Sequence, residues 1–126
     1  IDRWWSVFTA MPPMIRALAS DPDLGMTGYH LWFGRTTILL SYWRSPEDLQ
    51  RFAAAPDQPH LAPWRDYMRR IGSSGDVGVW HETYRTRPAD REVIYSNMPR
   101  FGLAKALDHV PIGRGTGTAR ERIGRA

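Results

Sequence analysis

The sequence predicts an α+β domain in which an antiparallel, ferredoxin-like sheet carries helices on one face. Three features predict it: an amphipathic stripe between Trp4 and Ala19, two adjacent strand-like runs between Tyr29 and Trp43, and a capped helix start at Ser45 with an alternating run at Val77 to Thr86 beyond it. The chain has 126 residues, 42% hydrophobic and 12% aromatic, enough apolar surface for one packed domain. Residues 1–110 are read as that domain and residues 111–126 as a flexible Arg/Gly-rich tail.

In the first helix Trp4, Phe8, Met11, Ile15 and Leu18 recur at spacings of three and four. Pro12 and Pro13 remove the amide donors for the carbonyls of Phe8 and Thr9, so a kink, or a second helix started by Pro13, is expected. Asp21, Pro22, Asp23 and Gly25 read as a turn.

Tyr29 to Phe33 and Thr37 to Trp43 follow as strands joined tightly at Gly34 and Arg35. Ile38, Leu40 and Tyr42 alternate with Leu39, Ser41 and Trp43, so both faces are largely apolar and both need covering. Helices suffice for one face, and a second copy of the chain is the expected cover for the other.

Ser45 can cap a helix that has Pro46 in its first position and Asp48 closing an S-x-x-D box. Ala55 to Pro59 ends it, and Leu61, Trp64, Met68 and Ile71 mark a further helix stopped by Gly72. Val77 to Thr86 alternates as a third strand, Glu92 to Ser96 is a short extended piece, and Asn97-Met98-Pro99 turns the chain. Prefixing one strand would complete β-α-β-β-α-β, the ferredoxin-like order. The chain opens at Ile rather than Met, so that first strand is expected to be missing from it.

The net charge of +4 is not spread evenly. Residues 1–86 hold nine Arg and nine acids, whereas residues 87–126 hold seven Arg and one Lys against four acids. A neutral body with a basic end argues against nucleic-acid binding. No run approaches the roughly 18 apolar residues of a membrane span, and Ile1-Asp2-Arg3 lacks a signal peptide's basic start, so the cytoplasm is the expected compartment.

Cys is absent, which removes thiol nucleophiles, disulfides and Cys-ligated metals from this sequence. No G-x-S-x-G elbow is present, and His81 and Glu82, adjacent on a strand, would point to opposite faces, so no dedicated metal site is expected. The four His therefore carry most of the available chemistry. His30 reads as a surface strand residue and His109 as a loop residue. His60 lies at a helix start between prolines, where it can cap, act as a base or ligate a haem iron. His81 lies mid-strand beside Trp80 and near Tyr84, as a satisfied core histidine or a base. Apolar surroundings with His, Tyr, Trp and Asn groups suit a hydrophobic aromatic or polyketide-like ligand.

The segments W-R-S-P-E-D-L (Trp43 to Leu49), P-H-L-A-P-W (Pro59 to Trp64), G-V-W-H-E-T-Y (Gly78 to Tyr84) and Y-S-N-M-P-R-F-G-L (Tyr95 to Leu103) give the chain its resemblance to a known family. It resembles the small monooxygenase-like family, formerly a domain of unknown function, that is named after a fungal polyketide monooxygenase. The resemblance implies a dimeric α+β barrel with a pocket between sheet and helices in each subunit, and kinship with cofactor-independent antibiotic-biosynthesis monooxygenases and, more distantly, with haem-degrading ones. It marks His60, Trp64, Trp80, His81, Tyr84 and Asn97 as candidates, with Trp43 beside them.

The expected function is a cofactor-independent monooxygenase. A base, His60 or His81, takes a substrate proton and the carbanion reduces O2. Tyr84 or Asn97 donates hydrogen bonds to developing oxyanion character, and Trp43, Trp64 and Trp80 line the substrate site. The alternatives are a non-catalytic small-ligand or stress-response binding module and a haem-binding protein ligated by His60.

Overall fold

A computed structural model describes residues 2–57, 62, 65, 66, 69, 75, 78–109 and 111–123, leaving aside the side chains of residues 2–8 and 10. Most of the expected helix from Leu61 to Gly72, including Leu61, Trp64, Met68 and Ile71, lies outside the described residues, as does His60. The described chain is α+β: one long helix, a two-stranded sheet and several short helices. It divides into two compact units, residues 1–26 with 43–82 and residues 27–42 with 83–126.

In the first unit, helix α1 runs unbroken from Asp2 to Ser20 and passes through Pro12 and Pro13. The expected division into two helices does not occur. The prolines cost backbone bonds locally, yet their fixed φ is itself helical, so the assignment continues across them. Ile15 and Leu18, one turn apart, are buried as the stripe predicts. The expected turn is a 3₁₀ turn at Pro22–Leu24, capped by Asp21, whose carboxylate accepts from the Asp23 amide at 3.1 Å. It contacts both α1 and α2, the helix at Pro46–Ala54.

Helix α2 starts as its sequence dictates. The Ser45 hydroxyl accepts from the Asp48 amide at 3.1 Å, Pro46 needs no donor in the first turn, and Ala55 leaves helical geometry immediately before Pro56. Phe52 is buried and meets the Trp43 ring at a centroid distance of 5.6 Å. Asp48 is the one buried charged residue among those described, at 4% exposure. It is paired twice, with Arg44 Nε at 2.8 Å and Arg51 Nη1 at 2.9 Å.

The hydrogen bond and charge of Arg44 outweigh desolvation and hold the Asp48 carboxyl below its ordinary value, with help from Ser45 and Arg51. A lowered folded-state value stabilises fully above the unfolded carboxylate range and is lost as pH falls through the folded value. Urea midpoints should therefore decline below about pH 4, and the decline should be smaller in Asp48→Asn, whose side chain does not titrate there. An equal decline in both proteins would show that Asp48 does not contribute to it.

In the second unit the hairpin dominates. Strand β1 is Met26–Trp32 and strand β2 is Ile38–Trp43, and their short connection makes them antiparallel. The Thr27 hydroxyl donates across the pair to the Tyr42 carbonyl at 3.3 Å. The connection is longer than the tight join expected at Gly34 and Arg35, taking in Phe33 to Thr37. A type I′ turn at Gly34-Arg35 would put Arg35 at positive φ, which costs a branched or long side chain steric strain. Asn97 is the sole non-glycine residue at positive φ among the described residues.

The third strand expected at Val77 to Thr86 is not found: residues 78–87 pair with no strand among those described, and Val79, Trp80 and Tyr84 are exposed. Alternation supplies two faces, but a strand also needs a partner to satisfy its backbone groups. The short extended piece at Glu92 to Ser96 likewise lies outside any sheet.

Residues 111–123 hold specific contacts. Thr118 and Glu121 cap a short helix, Ala119–Arg122, reciprocally, and Arg122 pairs with Glu92 at 2.8 Å while donating to the carbonyls of Thr116 and Gly117. Among the described residues, no helix is long and apolar enough to cross a membrane.

Candidate functional site

The sequence-marked candidates are placed separately. Trp43 is half-buried against Phe52. Trp80, His81 and Tyr84 are exposed, Trp80 at 59% and Tyr84 at 77%, on the segment of residues 78–87, which is not part of a strand. His81 is thus not the core histidine that a mid-strand position suggested. Asn97 is exposed and takes a left-handed conformation, φ 53°, which Asn tolerates better than most residues, so its backbone makes the turn the sequence predicts there.

What the structure brings together instead is a histidine-aromatic cluster in the second unit. Alternation along β1 places Gly28, His30 and Trp32 on one face, with Tyr42 of β2 beside them. The segment Phe101 to Ala106, ending in the short helix α3 at Leu103–Ala106, lies over this face. A Cβ built on Gly28 would lie 2.7 Å from that of Ala106, so only glycine admits the segment so closely. Ala104 is buried there.

His30 is the hub. Its ring stacks on Phe101 at 3.8 Å between centroids, tilts against Trp32 at 5.6 Å and meets Tyr42 edge-on at 6.4 Å. The Gly102 amide donates to His30 Nε2 at 2.9 Å. A nitrogen that accepts carries no proton, so the ring is neutral with its proton on Nδ1.

Tyr95 holds the covering segment from behind, its hydroxyl donating to the Phe101 carbonyl and accepting from the Ala104 amide. His109 packs edge-on against Tyr95 at 5.6 Å, and its Nδ1 is buried without a hydrogen-bond partner. Burial, with the nearby Tyr95 adding to it, pushes the Tyr42 hydroxyl above its ordinary value.

The arrangement offers a histidine fixed as a donor, a tyrosine that stays protonated, and the partly exposed rings of Trp32 and Phe101. No group of three or more His, Asp or Glu among the described residues is placed to hold a metal ion. The sequence presents His30 as a surface strand residue because Phe101 and Gly102, which stack on it and bond to it, lie more than 70 positions away, and nothing local connects them. The one available signal was the F-G pair within the family-like segment from Tyr95 to Leu103.

Comparison with curated proteins found no match, and neither did comparison with solved structures. The family model described as monooxygenase af470-like matches residues 1–103, most of the chain and all of the residues from His30 to Gly102 that build the cluster. By that match the chain belongs to the monooxygenase af470-like family.

Proposed function

We propose that the chain is a monooxygenase that uses O2 on a hydrophobic aromatic or polyketide-like substrate, without a bound cofactor. The observation that carries this reading is the family match over residues 1–103. Chemically, an anthrone-type CH2 needs only a base to start. Loss of a C–H proton gives a carbanion, which passes an electron to O2. Recombination gives a peroxide, and loss of water leaves the carbonyl, so that CH2 and O2 become C=O and H2O.

His60 or His81 is the proposed base, and the exposed His81 can return its proton to solvent. Tyr84 and Asn97 are proposed donors to the developing oxyanion, with Trp43, Trp64 and Trp80 packing the substrate. The active form is proposed as a homodimer. Exposed Ile38 and Leu40 on one face of the hairpin and exposed Tyr29 on the other support it, because apolar strand surface of this kind calls for a cover.

Oxygen uptake on adding an anthrone tests the function. Uptake above the spontaneous rate, matched mole for mole by quinone, is expected. Uptake at the spontaneous rate contradicts it, and a Soret band on haemin titration that vanishes in His60→Ala would favour the haem-binding alternative.

A further inference from the structure

We propose that two neighbouring loops of the second unit, residues 32–36 and 97–101, form a docking surface for an anionic lipid bilayer, on which the protein rests without spanning it. Trp32 and Phe101 set the two loops together. Trp32 ends β1 where the hairpin connection begins, and its ring meets Phe101 edge-on at 6.4 Å between centroids. The connection that starts at Phe33 and the segment that leads from Asn97 into Phe101 therefore meet at one end of the unit.

The loops expose two kinds of side chain. Trp32 and Phe101 are each 43% exposed, Met98 49% and Phe33 61%. Arg35 and Arg100 are exposed on the same two loops, and neither loop contains an acid. Aromatic rings with Arg beside them are the composition that settles at the boundary between headgroups and acyl chains.

The charge of the whole unit points the same way. Residues 27–42 with 83–126 hold ten Arg and Lys against four acids, whereas residues 1–26 with 43–82 hold seven against nine. Three of the four acids are engaged or distant: Glu92 pairs with Arg122, Glu121 caps Thr118, and Asp108 follows the end of α3 that lies against Gly28. A negative membrane attracts such a unit over about a Debye length, and the exposed rings then hold it.

Size selects the bilayer over other anionic partners. The two loops offer half or fewer of the roughly 20–30 residues that a protein partner engages on each side. Nucleic acid is held by many phosphate contacts, and the loops supply two cations. A bilayer needs neither a matched shape nor a large footprint. The inference does not rest on the oxygenase reading, and oxygen uptake is no part of its test.

The test is co-sedimentation of the full chain with vesicles of phosphatidylcholine, alone or with about 30% phosphatidylserine, in about 0.1 M salt. The serine-lipid vesicles should bind at least about tenfold more tightly, since each Arg at the surface is worth roughly fivefold. Arg35→Gln with Arg100→Gln should bring the two kinds of vesicle to within about threefold of each other. Phe33→Ser should weaken both alike by about tenfold. Met98→Ser repeats that reading if Phe33→Ser lowers the melting temperature. Brominated acyl chains should quench tryptophan fluorescence, and less so in Trp32→Phe.

No binding to serine-lipid vesicles, binding indifferent to the loop variants, or binding lost instead in Arg114→Gln with Arg120→Gln would overturn the proposal. Loop-dependent binding of polyglutamate or of a single-stranded oligonucleotide, with none to vesicles, would assign the surface to an acidic protein or a nucleic acid and overturn it equally.

Discussion

The double variant His60→Ala, His81→Ala should oxidise an anthrone at least about 100-fold more slowly than the wild-type chain, the lower end of what a positioned general base contributes. The reaction begins by breaking a C–H bond, and no step before proton loss makes the carbon electron-rich enough to reduce O2. Of the four histidines, His30 spends its Nε2 lone pair on the Gly102 amide and has none left for a substrate proton. His60 and His81 are the proposed bases. Initial rates of oxygen consumption, corrected for spontaneous oxidation, measure the effect, and the two single variants then assign the base. Unchanged turnover in the double variant would remove both histidines from the mechanism.

Gly25→Ala should destabilise the first unit by about 3 kcal/mol, combining roughly 1–2 kcal/mol for a side chain in the left-handed region with roughly 1–3 kcal/mol for overpacking. Gly25 ends the 3₁₀ turn at φ 91°, and a Cβ there would lie 2.5 Å from Cβ of Asp48. The obstacle cannot simply rotate away, because Asp48 is buried and held by Arg44 and Arg51. The Gly25 carbonyl also accepts from the Arg44 amide at 2.9 Å, so a displaced turn would pull on the residue that pairs with Asp48. A loss of about 3 kcal/mol corresponds to a melting temperature lower by on the order of 10 °C in a domain of this size. Thermal denaturation followed by circular dichroism measures it, and a change below 2 °C would mean that the turn yields without strain.

These predictions rest on parts of the chain that differed in how plainly the sequence announced them. Local signals transferred well. Ser45, Pro46 and Asp48 form the helix start that their chemistry requires, Asp21 and Gly25 close the turn, and Ile15 with Leu18 faces the core. The family was legible in four short segments because they combine residue types that composition alone does not bring together.

What failed was whatever depended on a partner. Val77 to Thr86 alternates like a strand, yet alternation says nothing about which strand will accept its hydrogen bonds. The hairpin loop lengthened because Arg35 is a poor residue for the tight turn that the spacing suggested. The histidine cluster was invisible for the same reason. His30, Tyr42 and Phe101 each look unremarkable in their own segments, and only the close approach of Ala106 to Gly28 lays Phe101 on the imidazole.

The central claim, oxygenation by O2, is tested most directly by turnover of an anthrone under 18O2 in ordinary water, with mass spectrometry of the quinone extracted before its carbonyls exchange. One 18O atom per quinone, formed faster than in the absence of protein, is the predicted result. Quinone without label, or label incorporated only at the protein-free rate, would contradict it.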